Sequence, residues 1–248
     1  MGSIRENIIE VQARAAAAAE RSGRRAEDVK IVCVTKTRSP EEIREAMEAG
    51  LYEYGENRVQ EFVEKYDKVQ DIAGALAGKP NIRWNIIGHL QRNKVKYIAG
   101  KAALIHSVDS FRLAEEINMR AAAAGVVEQI LIQLNSAGEI QKSGVAFSEC
   151  EALADDIDGC LPHIKLRGLM AVVPITEDPE DVRIYFRETK RAFDALAAKR
   201  GGPGTGFDHL SMGMTHDFEV AIEEGATIVR VGTAIFGPRS RECQETEV

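Results

Sequence analysis

From residue 31 onward, short apolar runs alternate with longer amphipathic stretches. The runs are six or seven residues long, rich in Val, Ile and Leu, and bounded by Gly, Asn, Asp or Ser, the pattern of buried strands. Eight of them stand out, at 31–36, 51–57, 82–88, 104–109, 129–135, 166–172, 207–213 and 227–232. Each gap is long enough for a crossover helix. Helical periodicity is visible at 40–49, 110–124, 148–157, 180–198 and 217–224. The helix at 40–49 has Ser39 as a cap, Pro40 in its first turn and Gly50 at its end. A further helix, 3–21, precedes the first strand. Eight strands alternating with helices predict one (β/α)8 barrel (a TIM barrel) with an extra N-terminal helix, spanning 1–248 as a single domain.

Function in such a barrel sits at the C-terminal strand ends. Those ends carry Lys36, Glu56-Asn57, Gly88-His89, Asp109, Asn135, Pro174, Ser211-Met212-Gly213 and Arg230-Val231-Gly232-Thr233. Strand alternation places Lys36 on the same face as Val32 and Val34, an apolar setting that lowers an amine's pKa and favours attack on a carbonyl. The plainer alternative is a lysine whose stem lies on the core while its ammonium reaches water. Ser211-Met212-Gly213 and Gly232-Thr233 fall in the loops after strands seven and eight, where barrels commonly bind phosphate. Arg230 shares a face with Ile228 and Gly232 and needs an acceptor: a carboxylate such as Asp208 or Glu219, or a ring nitrogen of a ligand. An amine, a phosphate site and a partner for a heteroaromatic nitrogen together match pyridoxal 5′-phosphate.

Composition narrows the field. Apolar residues make up 44% of the 248, and a net charge of −7 argues against a nucleic-acid or anionic-membrane surface. The four cysteines show no CxxC or metal spacing, and Cys33 lies within an apolar strand, so a reduced, cytoplasmic protein is expected. The N-terminus, with Arg5, Glu6, Glu10 and Arg14, lacks the apolar centre of a signal peptide, and no apolar run is long enough to cross a membrane. The five histidines show no paired ligand spacing. Gly201-Gly202-Pro203-Gly204 precedes a strand instead of following one, so it is a surface loop and not a dinucleotide fingerprint.

Several strings are more specific. Lys36-Thr37, Gly55-Glu-Asn-Arg-Val-Gln-Glu61, Trp84 followed by Ile87-Gly88-His89-Leu90-Gln91-Arg92-Asn93-Lys94, His106-Ser107-Val108-Asp109, Lys142-Ser143-Gly144, Leu166-Arg-Gly-Leu-Met170, Ser211-Met-Gly-Met214 and Arg230-Val-Gly-Thr-Ala-Ile-Phe-Gly237 resemble, in order, the pyridoxal phosphate homeostasis protein family. The resemblance implies a barrel similar to the N-terminal domain of alanine racemase, with the cofactor on Lys36 and no established turnover. It implies that Arg230 faces the pyridine nitrogen, that Ser211, Gly232 and Thr233 hold the phosphate, and that Asn57, His89 and Met212 line the ring. Partners would be the cofactor itself and recipient apo-enzymes, with the protein a monomer. Arg38 and Asn85 depart from the family pattern, which has a second lysine and a histidine there. Sharing strand parity with Lys36, a lysine at 38 in Lys36→Ala, Arg38→Lys is expected to regain an adduct, with Lys142 as another secondary amine.

Racemases and decarboxylases on this barrel use a second domain and a tyrosine or cysteine base. Tyr52 and Tyr54 are the candidate bases here, and the chain ends soon after Thr233. A Schiff-base aldolase acting on sugar phosphates would share the lysine and the phosphate loops, but has no use for Arg230.

Overall fold

Parallel pairing that starts between adjacent strands ends by joining the last to the first. A computed structural model describes residues 2–136, 143–202 and 204–238. Within them the strands are β1 Lys30–Val34, β2 Glu53–Glu56, β3 Arg83–Ile86, β4 Leu104–Val108, β5 Glu128–Leu134, β6 Ile164–Ala171, β7 His209–Met214 and β8 Ile228–Val231. They form a closed barrel in sequence order. Closure is made by β1 against β8, with Val32 opposite Arg230. The (β/α)8 expectation is met.

The helices are α1 Ile4–Arg21, α2 Pro40–Glu48, α3 Val59–Ala75, α4 Phe111–Ala124, α5 Phe147–Cys160, α6 Arg183–Lys199, α7 Phe218–Glu223 and α8 Thr233–Phe236. Ser3 caps α1 and Ser39 caps α2, each in a reciprocal box with a glutamate three residues on. The periodicity did not reveal α3. Its buried face is Val59, Phe62, Lys65, Val69 and Ala73, so a lysine interrupts the apolar stripe where a leucine would have marked a helix. Between β3 and β4 a short 3-10 helix, Arg92–Tyr97, replaces a full crossover helix.

Two apolar clusters follow from strand alternation. The large one lies between strands and helices and contains Tyr54, Phe62, Trp84, Leu210 and Met212. The small one fills the barrel with Val32, Leu104, Leu131, Met170 and Ile228. Each buried aliphatic side chain there contributes roughly 1.5–3 kcal/mol. Toward the C-terminal strand ends polar groups join the lumen, with Asn85, His106, Ser211 and Arg230 all buried beside Ile87 and Val172.

Candidate cofactor site at the C-terminal rim

The first strand stops earlier than its apolar pattern suggests. β1 ends at Val34, and the backbone then turns, with the Arg38 N–H donating to Thr35 O at 3.0 Å. Lys36 is half-buried in that turn, not in the strand, so strand alternation does not set its direction as the sequence reading assumed. Thr37 sits at φ 62°, in the left-handed region. For a β-branched residue this conformation is an outlier that costs about 1–3 kcal/mol.

Arg38 is not a second site at the rim. Its guanidinium pairs with Glu42 at 3.1 Å, donates to Gly237 O at 2.6 Å and lies 5.3 Å from the Phe236 ring centre. It ties the lysine turn to α2 and α8. This corrects the parity argument for an amine at position 38. Lys142 lies outside the described residues, as does Cys243.

Arg230 is buried. One terminal nitrogen donates to Ser211 O at 2.9 Å and Ser211 Oγ at 2.7 Å, and the other to Ala171 O at 2.8 Å. Among the described residues its Nε–H has no hydrogen-bond acceptor. The proposed carboxylate partners are engaged elsewhere, Asp208 with Arg167 and Glu219 with Arg14. Burial pulls the guanidinium down to about 10, against the opposing charge of Asp217, so it remains a cation at neutral pH.

Behind Arg230 runs a hydrogen-bonded chain. Ser211 Oγ lies 2.9 Å from His106 Nδ1, and His106 Nε2 lies 3.1 Å from Asn85 Oδ1. The Asn85 amide nitrogen donates to Tyr54 O and to Glu53, both at 3.1 Å. Its oxygen must therefore accept, which puts the imidazole proton on Nε2. Burial, and then the charge of Arg230, holds His106 well below the usual histidine range, so the ring is neutral. Nδ1 then accepts, and the Ser211 hydroxyl donates to it while accepting from Arg230. That donor is spent.

With its hydroxyl shared between His106 and Arg230, Ser211 has no side-chain donor left for the phosphate that the sequence reading assigns to it. The phosphate-loop positions that remain are closer to solvent. Gly232 N–H donates to Thr215 Oγ1 at 3.3 Å, bridging the loops after β7 and β8, and Thr233 is exposed. Thr215 escaped the sequence reading, although it is the next hydroxyl after Gly213. Gly213, at φ 93°, lies against α7: a Cβ there would sit 2.5 Å from Ala221 Cβ. Met212 is also corrected. It is wholly buried in the outer cluster and does not line the mouth.

The ends of β2 and β3 meet closely. A Cβ on Gly88 would fall 2.3 Å from Asn57 O, so only glycine fits there. Asn57 and His89 line one cavity of about 430 Å³. His89 is exposed, and its Nδ1 lies 3.7 Å from Asp109 Oδ2. It also borders a second cavity of about 700 Å³ with Arg92, Asp109, Ser110 and Arg120. The structure brings Asn57 and His89 together beside the mouth, and brings Arg230 and Ser211 together inside it. Among the described residues no grouping of three His, Cys, Asp or Glu side chains is placed to hold a metal, and no helix is long and apolar enough to cross a membrane.

Comparison with known proteins explains this geometry. The alanine racemase N-terminal domain profile matches residues 4–240. A pyridoxal phosphate homeostasis protein of Aquifex aeolicus is 46% identical, over 94% of this chain and 97% of its own. The chain belongs to the pyridoxal phosphate homeostasis protein family. A solved structure from Bifidobacterium adolescentis superposes with a TM-score of 0.86 at 40% identity, covering 94% of each chain. PipY of Synechococcus elongatus PCC7942, solved with pyridoxal phosphate bound, superposes with a TM-score of 0.79 at 28% identity. That match covers 95% of this chain and all of PipY.

Proposed function

We propose that this protein carries pyridoxal phosphate covalently on Lys36 and stores, buffers or delivers it, without turnover of its own. Its family membership makes it a pyridoxal phosphate-binding protein of cofactor homeostasis. The observation that carries the residue assignment is Arg230. It is a buried cation whose hydrogen-bonded partners are all neutral, on the strand paired with the one that delivers Lys36. A charge so placed is costly unless a ligand atom uses it.

The donor set fits the cofactor: an amine, a guanidinium Nε–H, and loop hydroxyls at Thr215 and Thr233, the Gly232 N–H holding Thr215 in place. When bound, pyridoxal phosphate supplies an aldehyde to the amine and a ring whose nitrogen an arginine leaves unprotonated. The Arg230 Nε–H orients that nitrogen, while Ser211 and His106 hold Arg230 in register. Hydroxyl donors of the β7 and β8 loops take the phosphate, and Asn57 and His89 flank the entrance. The candidate bases do not serve a catalytic reading. The Tyr54 hydroxyl is spent on Leu51 O at 2.6 Å within the outer core, and Tyr52 lies before β2.

Borohydride reduction of the protein with pyridoxal phosphate, followed by peptide mapping, should place a pyridoxyl group on Lys36. A chain that stays unlabelled there with excess cofactor overturns the assignment. Amino-acid racemisation or decarboxylation above that of free cofactor, abolished by Lys36→Ala, would establish an enzyme instead.

A further inference from the structure

The turn that presents Lys36 is strained, and it is held by a cluster with no other evident purpose. Thr37 occupies the left-handed region, which a β-branched residue keeps only where its surroundings enforce it. Two contacts from α3 enforce it. The Thr37 N–H donates to Glu61 Oε2 at 2.6 Å, and Lys65 Nζ donates to Thr35 O at 2.7 Å. Lys65 is itself gripped by Glu56 Oε1 at 2.9 Å and Glu61 Oε2 at 3.0 Å. Glu56 Oε1 also accepts from Thr35 Oγ1 at 2.7 Å. Both residues that flank Lys36 are therefore pinned by one group of charges, buried at Glu56 and Lys65 and partly exposed at Glu61.

Stability does not account for that group. Lys65 fills a core-facing position of α3, and Glu56 is fully buried with its Oε2 lacking a hydrogen-bond partner among the described residues. Apolar residues of similar volume at such positions are commonly as stable or more so. Burial raises the Glu56 carboxyl above its ordinary range despite the neighbouring ammonium. What the ionic group provides and an apolar pair would not is directed hydrogen bonding to the backbone on either side of the lysine.

We propose that Lys65, clamped between Glu56 and Glu61, is a positioning residue that locks the strained turn and so aims the Lys36 amine. The inference rests on the reading that Lys36 takes the cofactor. In that attachment Lys36 Nζ bonds to the aldehyde carbon, and the aldehyde oxygen leaves as water with the two amine hydrogens. The rate follows how often Nζ occupies the line of approach, which the turn controls.

The test uses the full chain with Glu61→Ala, Glu61→Gln and Lys65→Met. Labelling of Lys36 by pyridoxal phosphate and borohydride is followed by mass spectrometry. Affinity for pyridoxine 5′-phosphate, which has no aldehyde, is measured by calorimetry. Glu61→Ala and Lys65→Met should slow Lys36 labelling roughly tenfold, the worth of one charge-assisted hydrogen bond, while pyridoxine phosphate affinity stays within about twofold. Glu61→Gln should recover most of the rate, because its amide oxygen still accepts from Thr37. Glu61 is partly exposed, so its two variants decide the matter even where Lys65→Met does not fold. Wild-type labelling rates in Glu61→Ala, or an equal loss of pyridoxine phosphate affinity, overturn the proposal alone. An unchanged protein that never labels at Lys36 overturns the cofactor assignment, and the proposal with it.

Discussion

Ser211→Ala separates two roles for one hydroxyl. If the side chain held phosphate, its loss would cost affinity and leave the apo-protein largely unaffected. The structure places it between Arg230 and His106 with both of its hydrogen-bonding functions in use. Alanine there removes a hydrogen bond to a charged donor, worth about 1.5–3 kcal/mol, and leaves His106 Nδ1 buried without a donor, at about 1–3 kcal/mol. Arg230 keeps its bonds to Ser211 O and Ala171 O, which limits the loss. We expect a net destabilisation of about 2–4 kcal/mol in the apo-protein. For a domain of this size that lowers Tm by roughly 5–15 °C. Urea unfolding with an unchanged m value gives the energy, and the ratio of affinities for pyridoxal phosphate and pyridoxal gives the role. That ratio should match the wild type, because both ligands lose the same ring contact. Unchanged stability with the preference for the phosphorylated form abolished would refute the assigned hydrogen-bond chain.

Other outcomes follow from the same geometry. Thr233→Ala and Thr215→Ala should each weaken pyridoxal phosphate by roughly tenfold relative to pyridoxal, as expected for one lost bond to a charged group; equal effects on both ligands would exclude a phosphate role. In acid His106 and His209 should destabilise the fold. His209 is held down to about 4 by burial, so the unfolded chain takes up its proton first as pH falls below about 6.5. Its contribution, about 3 kcal/mol, is complete above that pH and gone below about 4, with His106 acting in the same direction. Denaturant titrations from pH 7 to 4 should show the slope, and His209→Gln should flatten it. Lys36→Ala, Arg38→Lys should gain no reducible label at position 38, because that side chain is directed to Glu42, Gly237 and Phe236; peptide mapping of the double variant checks this.

The strand-and-helix alternation, the closed barrel and the rim location of Lys36 and Arg230 were legible in the sequence. All three follow from local periodicity and from the rule that barrels work at their C-terminal ends. Motif strings read in order also located the family. Partnerships were not legible, because they join residues far apart in the chain. Periodicity correctly turned Arg230 inward, but only the pairing of β7 with β8 gave it Ser211, and only the approach of β4 set His106 behind that serine. Asn85, an unexplained departure in the sequence, became the group that sets the His106 tautomer. Ser211 and Met212 were assigned to the ligand because they sit in the right motif. Alternation along β7 sends them to opposite sides, Met212 to the outer core and Ser211 to Arg230, and only the folded chain shows which partners each one meets. The same limit hid α3: Lys65 broke its apolar stripe, and only the folded chain shows that this lysine faces inward to reach the turn beside Lys36. Sequence periodicity sets which face a residue occupies within one element, whereas hydrogen-bond partners across elements depend on closure, register and the depth at which each side chain is buried.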